Sequence, residues 1–115
     1  MLRILLVEDS PDDAELLRFA LDDAGIDHEL RRAWSRASLL EALGDFTPSV
    51  AVSDLHLPGF CGAEALRLVQ AQRTGLPMVL LSGAPSEAPG DLPARVLDKA
   101  ALHGLPALLR GMLAA

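Results

Sequence analysis

Tyrosine is absent from this 115-residue chain, and three phenylalanines and one tryptophan are all its aromatics. A core must therefore be assembled from leucine, valine and alanine. A single cysteine excludes an internal disulfide and suits a reducing compartment. Basic residues are scarce as well: ten Lys and Arg stand against sixteen Asp and Glu, for a net charge of −6. That balance argues against a nucleic-acid partner, because phosphate contacts need clustered Lys and Arg. No apolar run approaches the roughly 20 residues that a membrane span requires, so no membrane partner is expected. The first residues lack a signal-peptide cleavage site and run straight into a structural pattern, and a cytoplasmic location is expected. The length suits one domain over 1–115 with a single core and no effector domain.

What is present is organised around residues 49–59. A short apolar run, Val50, Ala51 and Val52, ends in a carboxylate, Asp54, and Pro58-Gly59 then breaks the chain. In an open parallel sheet, groups at the carboxyl ends of strands line the crevice where ligands bind. The rest of the chain repeats the theme. Residues 2–7 predict a buried strand ending at Glu8-Asp9. Ser10 then caps a helix with Pro11 in its first position and Asp12 and Asp13 at the positive end of its dipole. Ala14, Leu17, Leu21 and Ala24, with Leu16 and Ala20, recur at helical spacing until Gly25.

Residues 27–33 read as an edge strand whose charges, Arg31-Arg32 among them, discourage pairing with another molecule. Ser35 caps a short helix with Leu39, Leu40 and Leu43, closed by Gly44. A further helix runs from Cys61 or Gly62 to residue 73, and residues 77–81 form a buried strand ending at Ser82-Gly83. Residues 84–94 hold Pro85, Pro89, Pro93 and Gly90, too many breakers for a regular helix. A long irregular loop is expected there. Residues 95–98 make a short strand before Lys99, and a last helix begins near Leu105, with Leu105, Leu108, Leu109 and Met112 facing inward. The alternation predicts an α/β fold with a five-stranded parallel sheet covered by helices on both faces.

Three carboxylates at one sheet edge, Glu8, Asp9 and Asp54, repel one another unless a cation sits among them. An all-oxygen set with few protein ligands suits Mg²⁺, which keeps several waters and shares its shell with phosphate. A hydroxyl, Ser82, and an ammonium, Lys99, would receive an anion. Together these groups describe a carboxylate nucleophile that accepts a phosphoryl group.

The set resembles the receiver domain of two-component response regulators, over the whole chain. The family's acidic pair matches Glu8-Asp9, its phosphoacceptor Asp54, its Thr/Ser position Ser82 with Gly83 following, and its lysine Lys99. The resemblance implies a flavodoxin-like (CheY-like) fold with a Pro-rich loop in place of the fourth helix. It implies Mg²⁺ held directly by Asp9, Asp54 and the carbonyl of His56, with Glu8 acting through water. Ser82 and Lys99 would bind the phosphoryl oxygens. It further implies phosphorylation of Asp54 by a sensor histidine kinase or phosphotransferase, family-typical autophosphorylation and autodephosphorylation rather than metabolic catalysis, and output through an unknown downstream protein. The opening, residues 7–13, is similar to single-domain receivers paired with bacteriophytochrome kinases. A homodimer stays open.

The departures are specific. Ala100 replaces the usual proline after the lysine, so a trans bond is expected. Val96 stands at the aromatic switch position, and the Ser82–Lys99 interval is shorter than usual. Val96 and the missing fourth helix favour the alternative of a phosphorylation-independent, receiver-like binding module, which the complete acidic set opposes. A haloacid-dehalogenase-type hydrolase also uses an aspartyl phosphate, but needs a second acid where this chain has His56. Of the remaining residues, Cys61 reads as small and buried, His28 and His103 as surface residues, and Trp34 as a partly exposed packing residue.

Overall fold

Leu2–Val7 forms β1, and its alternate side chains feed two separate cores, one on each face of the sheet, rather than the single core that the length predicts. A computed structural model describes residues 1–57, 59–83 and 90–113. The elements that follow β1 are α1 (Pro11–Asp23), β2 (His28–Ala33), α2 (Arg36–Asp45) and β3 (Val50–Asp54). A two-stranded hairpin, β4 (His56–Leu57) with β5 (Phe60–Cys61), leads into α3 (Gly62–Gln72). Then come β6 (Met78–Ser82), β7 (Arg95–Asp98), a 3-10 helix (Lys99–Gly104) and α4 (Leu105–Leu113).

The five main strands pair in parallel in the order β2-β1-β3-β6-β7. Strands buried on both faces need no polar alternation, and β3 and β6 have none of their residues exposed. Leu5, Val7, Ala51 and Leu80 pack with Leu39 and Leu43 of α2 and Leu66 and Val69 of α3. Ile4, Leu6, Val50, Val52, Val79 and Leu81 pack with Leu17 and Leu21 of α1 and Leu105 and Leu109 of α4. The parallel sheet with helices on both faces is therefore as the alternation predicts.

The first helix is capped as its sequence implies, the Ser10 hydroxyl accepting from the Asp13 N–H at 3.2 Å. Leu16, however, is 57% exposed and lies off the buried stripe. α2 is not closed by Gly44 but runs through it to Asp45, with Phe46 as its C-cap. A helical glycine among good formers weakens a helix without ending it. Leu40 of that helix is exposed, off the face that buries Leu39 and Leu43. Of the expected loop, residues 84–89 lie outside the described residues, and 90–94 run as turn and irregular chain. Among the described residues no peptide bond is cis, as expected for Lys99-Ala100. The hairpin and the 3-10 helix carry no periodicity that a sequence can announce, the hairpin strands being two residues each. Among the described residues no helix is long and apolar enough to cross a membrane.

Candidate functional site

Register brings the polar strand ends together. Val7 pairs with Ser53, so Glu8 emerges level with Asp54 on the neighbouring strand. Asp54 pairs with Leu81, placing Ser82 one step further out, and Ser82 pairs with Asp98, placing Lys99 one step beyond that. The four groups thus form a staircase across the carboxyl edge of the sheet.

Lys99 binds it together. Its Nζ donates to Asp54 Oδ2 at 2.6 Å and to Asp13 Oδ2 at 3.4 Å, and lies 3.7 Å from Glu8 Oε1. Burial acts to lower the Lys99 ammonium, but the hydrogen bond and charge of Asp54, with Glu8 and Asp13, outweigh it and hold the group above its ordinary value. The other oxygen of Asp54, Oδ1, accepts the His56 backbone N–H at 3.3 Å. Asp54 is 6% exposed, Glu8 4% and Ser82 not at all. Asp9 and the His56 side chain, by contrast, face solvent.

Burial pushes the Glu8 carboxyl up to about 7, the neighbouring Asp9 carboxyl and Asp54 adding to the rise and Lys99 opposing it. A carboxyl raised from 4.5 imposes no charge-burial penalty below the unfolded value and the full penalty above the folded one. Glu8→Gln is therefore expected to stabilise the metal-free protein at pH 8 by about 3 kcal/mol at most. The gain shrinks as pH falls through 7 and vanishes near pH 4. Urea unfolding of both proteins across that range checks it; a gain independent of pH would show that the charge is not its source.

The backbone around Asp54 is shaped by glycine at two points. Gly59 takes φ 65° in the turn between β4 and β5, a region that side chains resist. Gly62 opens α3 against β3, its N–H donating to the Leu55 carbonyl at 2.8 Å. A Cβ on Gly62 would lie 1.9 Å from the Asp54 carbonyl oxygen.

Three side chains differ from the sequence expectation. Cys61 is exposed at the N-cap of α3 rather than buried. The His28 side chain is only 5% exposed, its Nδ1 3.0 Å from the Ile26 carbonyl oxygen, whereas His103 faces solvent as expected. Asp13 was expected to serve only the helix dipole, yet it reaches Lys99. Its place at the third position of α1, beside the end of β1, is the signal that could have marked it.

Among the described residues no three His, Cys, Asp or Glu side chains are gathered closely enough to hold a metal ion by themselves. Mg²⁺ takes oxygen donors, commonly one or two carboxylates completed by waters and phosphate. The acidic side chains at the edge, Glu8, Asp9 and Asp54, offer only oxygen donors.

A parallel α/β sheet with acids, a hydroxyl and a lysine at its carboxyl edge has known counterparts. Residues 4–96 match the response regulator receiver domain. The protein-glutamate methylesterase/protein-glutamine glutaminase of Nitrosospira multiformis is 32% identical over 107 residues, covering 92% of this chain and 30% of that protein. The C4-dicarboxylate transport transcriptional regulatory protein DctD of Pseudomonas aeruginosa is 34% identical over 94 residues, covering 82% of this chain and 19% of that one. This chain thus spans less than a third of either relative. Among solved structures, response regulator protein TrrA of Thermotoga maritima, in complex with Mg²⁺-BeF, superposes with a TM-score of 0.80 at 24% identity, covering 98% of this chain and all of that one. The chain belongs to the response regulator receiver family, whose members act as signalling switches in two-component systems.

Proposed function

We propose that this receiver is a Mg²⁺-dependent phosphoacceptor, phosphorylated on Asp54 by a histidine kinase or phosphotransferase, and that it signals by protein contact. The observation that carries the proposal is the 2.6 Å contact of Lys99 Nζ with Asp54 Oδ2, made across the end of β6 from the residue after β7 to the last residue of β3. A buried carboxylate with a lysine beside it is a nucleophile whose counter-charge is already in place. In the transfer step an Asp54 oxygen forms a bond to phosphorus while the bond from phosphorus to the donor breaks, and the donor leaves with that electron pair. Lys99 then hydrogen-bonds the transferred oxygens, as does the Ser82 hydroxyl. Asp9, Asp54 and the His56 carbonyl would hold Mg²⁺, with Glu8 behind water. The ion would neutralise charge on the phosphoryl group.

Output by contact is supported by Leu16 and Phe19, which stand 57% and 56% exposed on α1 and line an open groove with Leu102 and Pro106. The bacteriophytochrome-type kinase rests on the sequence similarity of residues 7–13 alone.

Intact-mass spectrometry after acetyl phosphate and Mg²⁺ tests the proposal, with Asp54→Asn alongside. One phosphoryl adduct is expected on the wild-type chain, and none on the variant or without the metal. No adduct from acetyl phosphate or from a panel of kinases would overturn it and leave a docking module of receiver shape.

A further inference from the structure

Arg31 and Arg32 are neighbours on an edge strand, where charge guards against pairing with another sheet. The structure separates them. Arg31 turns to Asp45 at the end of α2, with Nη1 2.9 Å from Oδ1. Arg32 turns the other way and crosses to the exit of β1. Its Nη1 donates to the backbone carbonyl of Glu8 at 3.1 Å and to that of Asp9 at 3.5 Å. The guanidinium lies over the Trp34 ring, 4.9 Å from its centroid, an orientation in which the ring face attracts the cation. The β1 exit is further tied to β2 by the Glu8 N–H, which donates to the Ala33 carbonyl at 2.9 Å.

We infer that Arg32 is a positioning residue for the divalent-cation site. Clamped by Trp34, it holds the carbonyls of Glu8 and Asp9 and so fixes the direction in which the two carboxylates leave the strand. The inference rests on the phosphoacceptor proposal, because it gives those carboxylates their metal. It also accounts for Trp34, a half-exposed tryptophan that neither core claims.

Position and charge make opposite predictions here. A guanidinium beside a cation site repels the cation, so removing it for charge reasons alone should tighten Mg²⁺ binding. Removing a clamp should loosen it, and outer partners of metal ligands commonly contribute tenfold or more to affinity. The test is calorimetric titration of the full chain with Mg²⁺ alone, comparing wild type, Arg32→Lys and Arg32→Gln at a temperature where each is folded. Lysine keeps the charge but has neither the planar fork nor its stacking geometry.

Both variants are expected to bind Mg²⁺ about tenfold more weakly than wild type. Tighter binding by Arg32→Gln with unchanged binding by Arg32→Lys would overturn the inference in favour of a charge effect. A lowered melting temperature with unchanged Mg²⁺ affinity would overturn it in favour of a purely structural role. Should the Arg32 variants fail to fold, Trp34→Leu keeps the guanidinium and removes its platform. Weaker Mg²⁺ binding by that variant is then expected, and unchanged binding would overturn the inference. A wild-type chain that binds Mg²⁺ and is phosphorylated, with variants that bind equally well, overturns this inference alone. A wild-type chain that binds no Mg²⁺ overturns the phosphoacceptor proposal, and this inference falls with it.

Discussion

Gly62→Ala is expected to lower stability by about 4 kcal/mol or more, at the far end of what single substitutions do. The new Cβ would meet the Asp54 carbonyl oxygen at 1.9 Å, the Asp54 carbonyl carbon at 2.7 Å and the Leu55 Cα at 2.7 Å. All three are main-chain atoms of a buried strand end, so no side chain can swing aside. Either α3 moves off the sheet, opening the core that Ala65, Leu66 and Val69 fill, or β3 gives way where it carries Asp54. In both cases the hydrogen bond from the Gly62 N–H to the Leu55 carbonyl is lost.

Gly44 is the control. It lies inside α2 with nothing within 4 Å of an added Cβ, so Gly44→Ala should stabilise by about 0.5–1 kcal/mol through helix propensity alone. The same substitution at two helical glycines is thus expected to act with opposite sign, as urea unfolding would show. Equal effects at the two positions would mean that the contact between α3 and β3 is looser than the structure has it. Any Gly62→Ala protein that still folds should also take up phosphate poorly, because relief of the clash displaces the backbone of the proposed nucleophile.

The strand ends were legible in the sequence because each is a sharp change from apolar to polar, and a parallel sheet aligns those changes at one edge. Glu8, Asp54, Ser82 and Lys99 needed only the order of the strands to be brought together. What links the ends was not legible. Lys99 meets Asp13 across 86 residues, and Arg32 reaches Glu8 across 24; neither separation leaves a trace in local periodicity. Asp13 was hidden behind a sufficient local explanation, since an acid in the first helical turn already has a role. The exposure of Cys61 follows from the hairpin before α3, whose two-residue strands are too short to read from alternation. The near-complete burial of the His28 side chain follows from its contact with the Ile26 carbonyl, which satisfies one ring nitrogen inside the protein.

Lys99→Met is expected to slow phosphorylation of Asp54 by acetyl phosphate by about 100-fold or more, the scale of losing one charge-stabilising donor from a buried site. The same change acts before any chemistry. Asp54, Asp13 and Glu8 share this ammonium, and removing it leaves three acids, two at the sheet edge and one on α1, without their common partner. Breaking a fully buried pair costs about 3–5 kcal/mol. The Lys99 side chain is 36% exposed, and the raised Glu8 carboxyl can take up a proton, so about 2 kcal/mol is expected at pH 7.

That loss should shrink as pH falls through 7 and Glu8 takes up its proton, and Mg²⁺ should restore more stability to Lys99→Met than to wild type by supplying the missing positive charge. Parallel denaturation curves with and without Mg²⁺ would show the difference. The two effects of this one substitution separate the competing roles for the chain. A phosphoacceptor loses both its phosphoryl transfer and part of its stability. A docking module with the same fold loses stability alone, and its contacts do not change when acetyl phosphate is added. Loss of stability with no wild-type adduct to compare would therefore assign Lys99 to holding the sheet edge together rather than to chemistry.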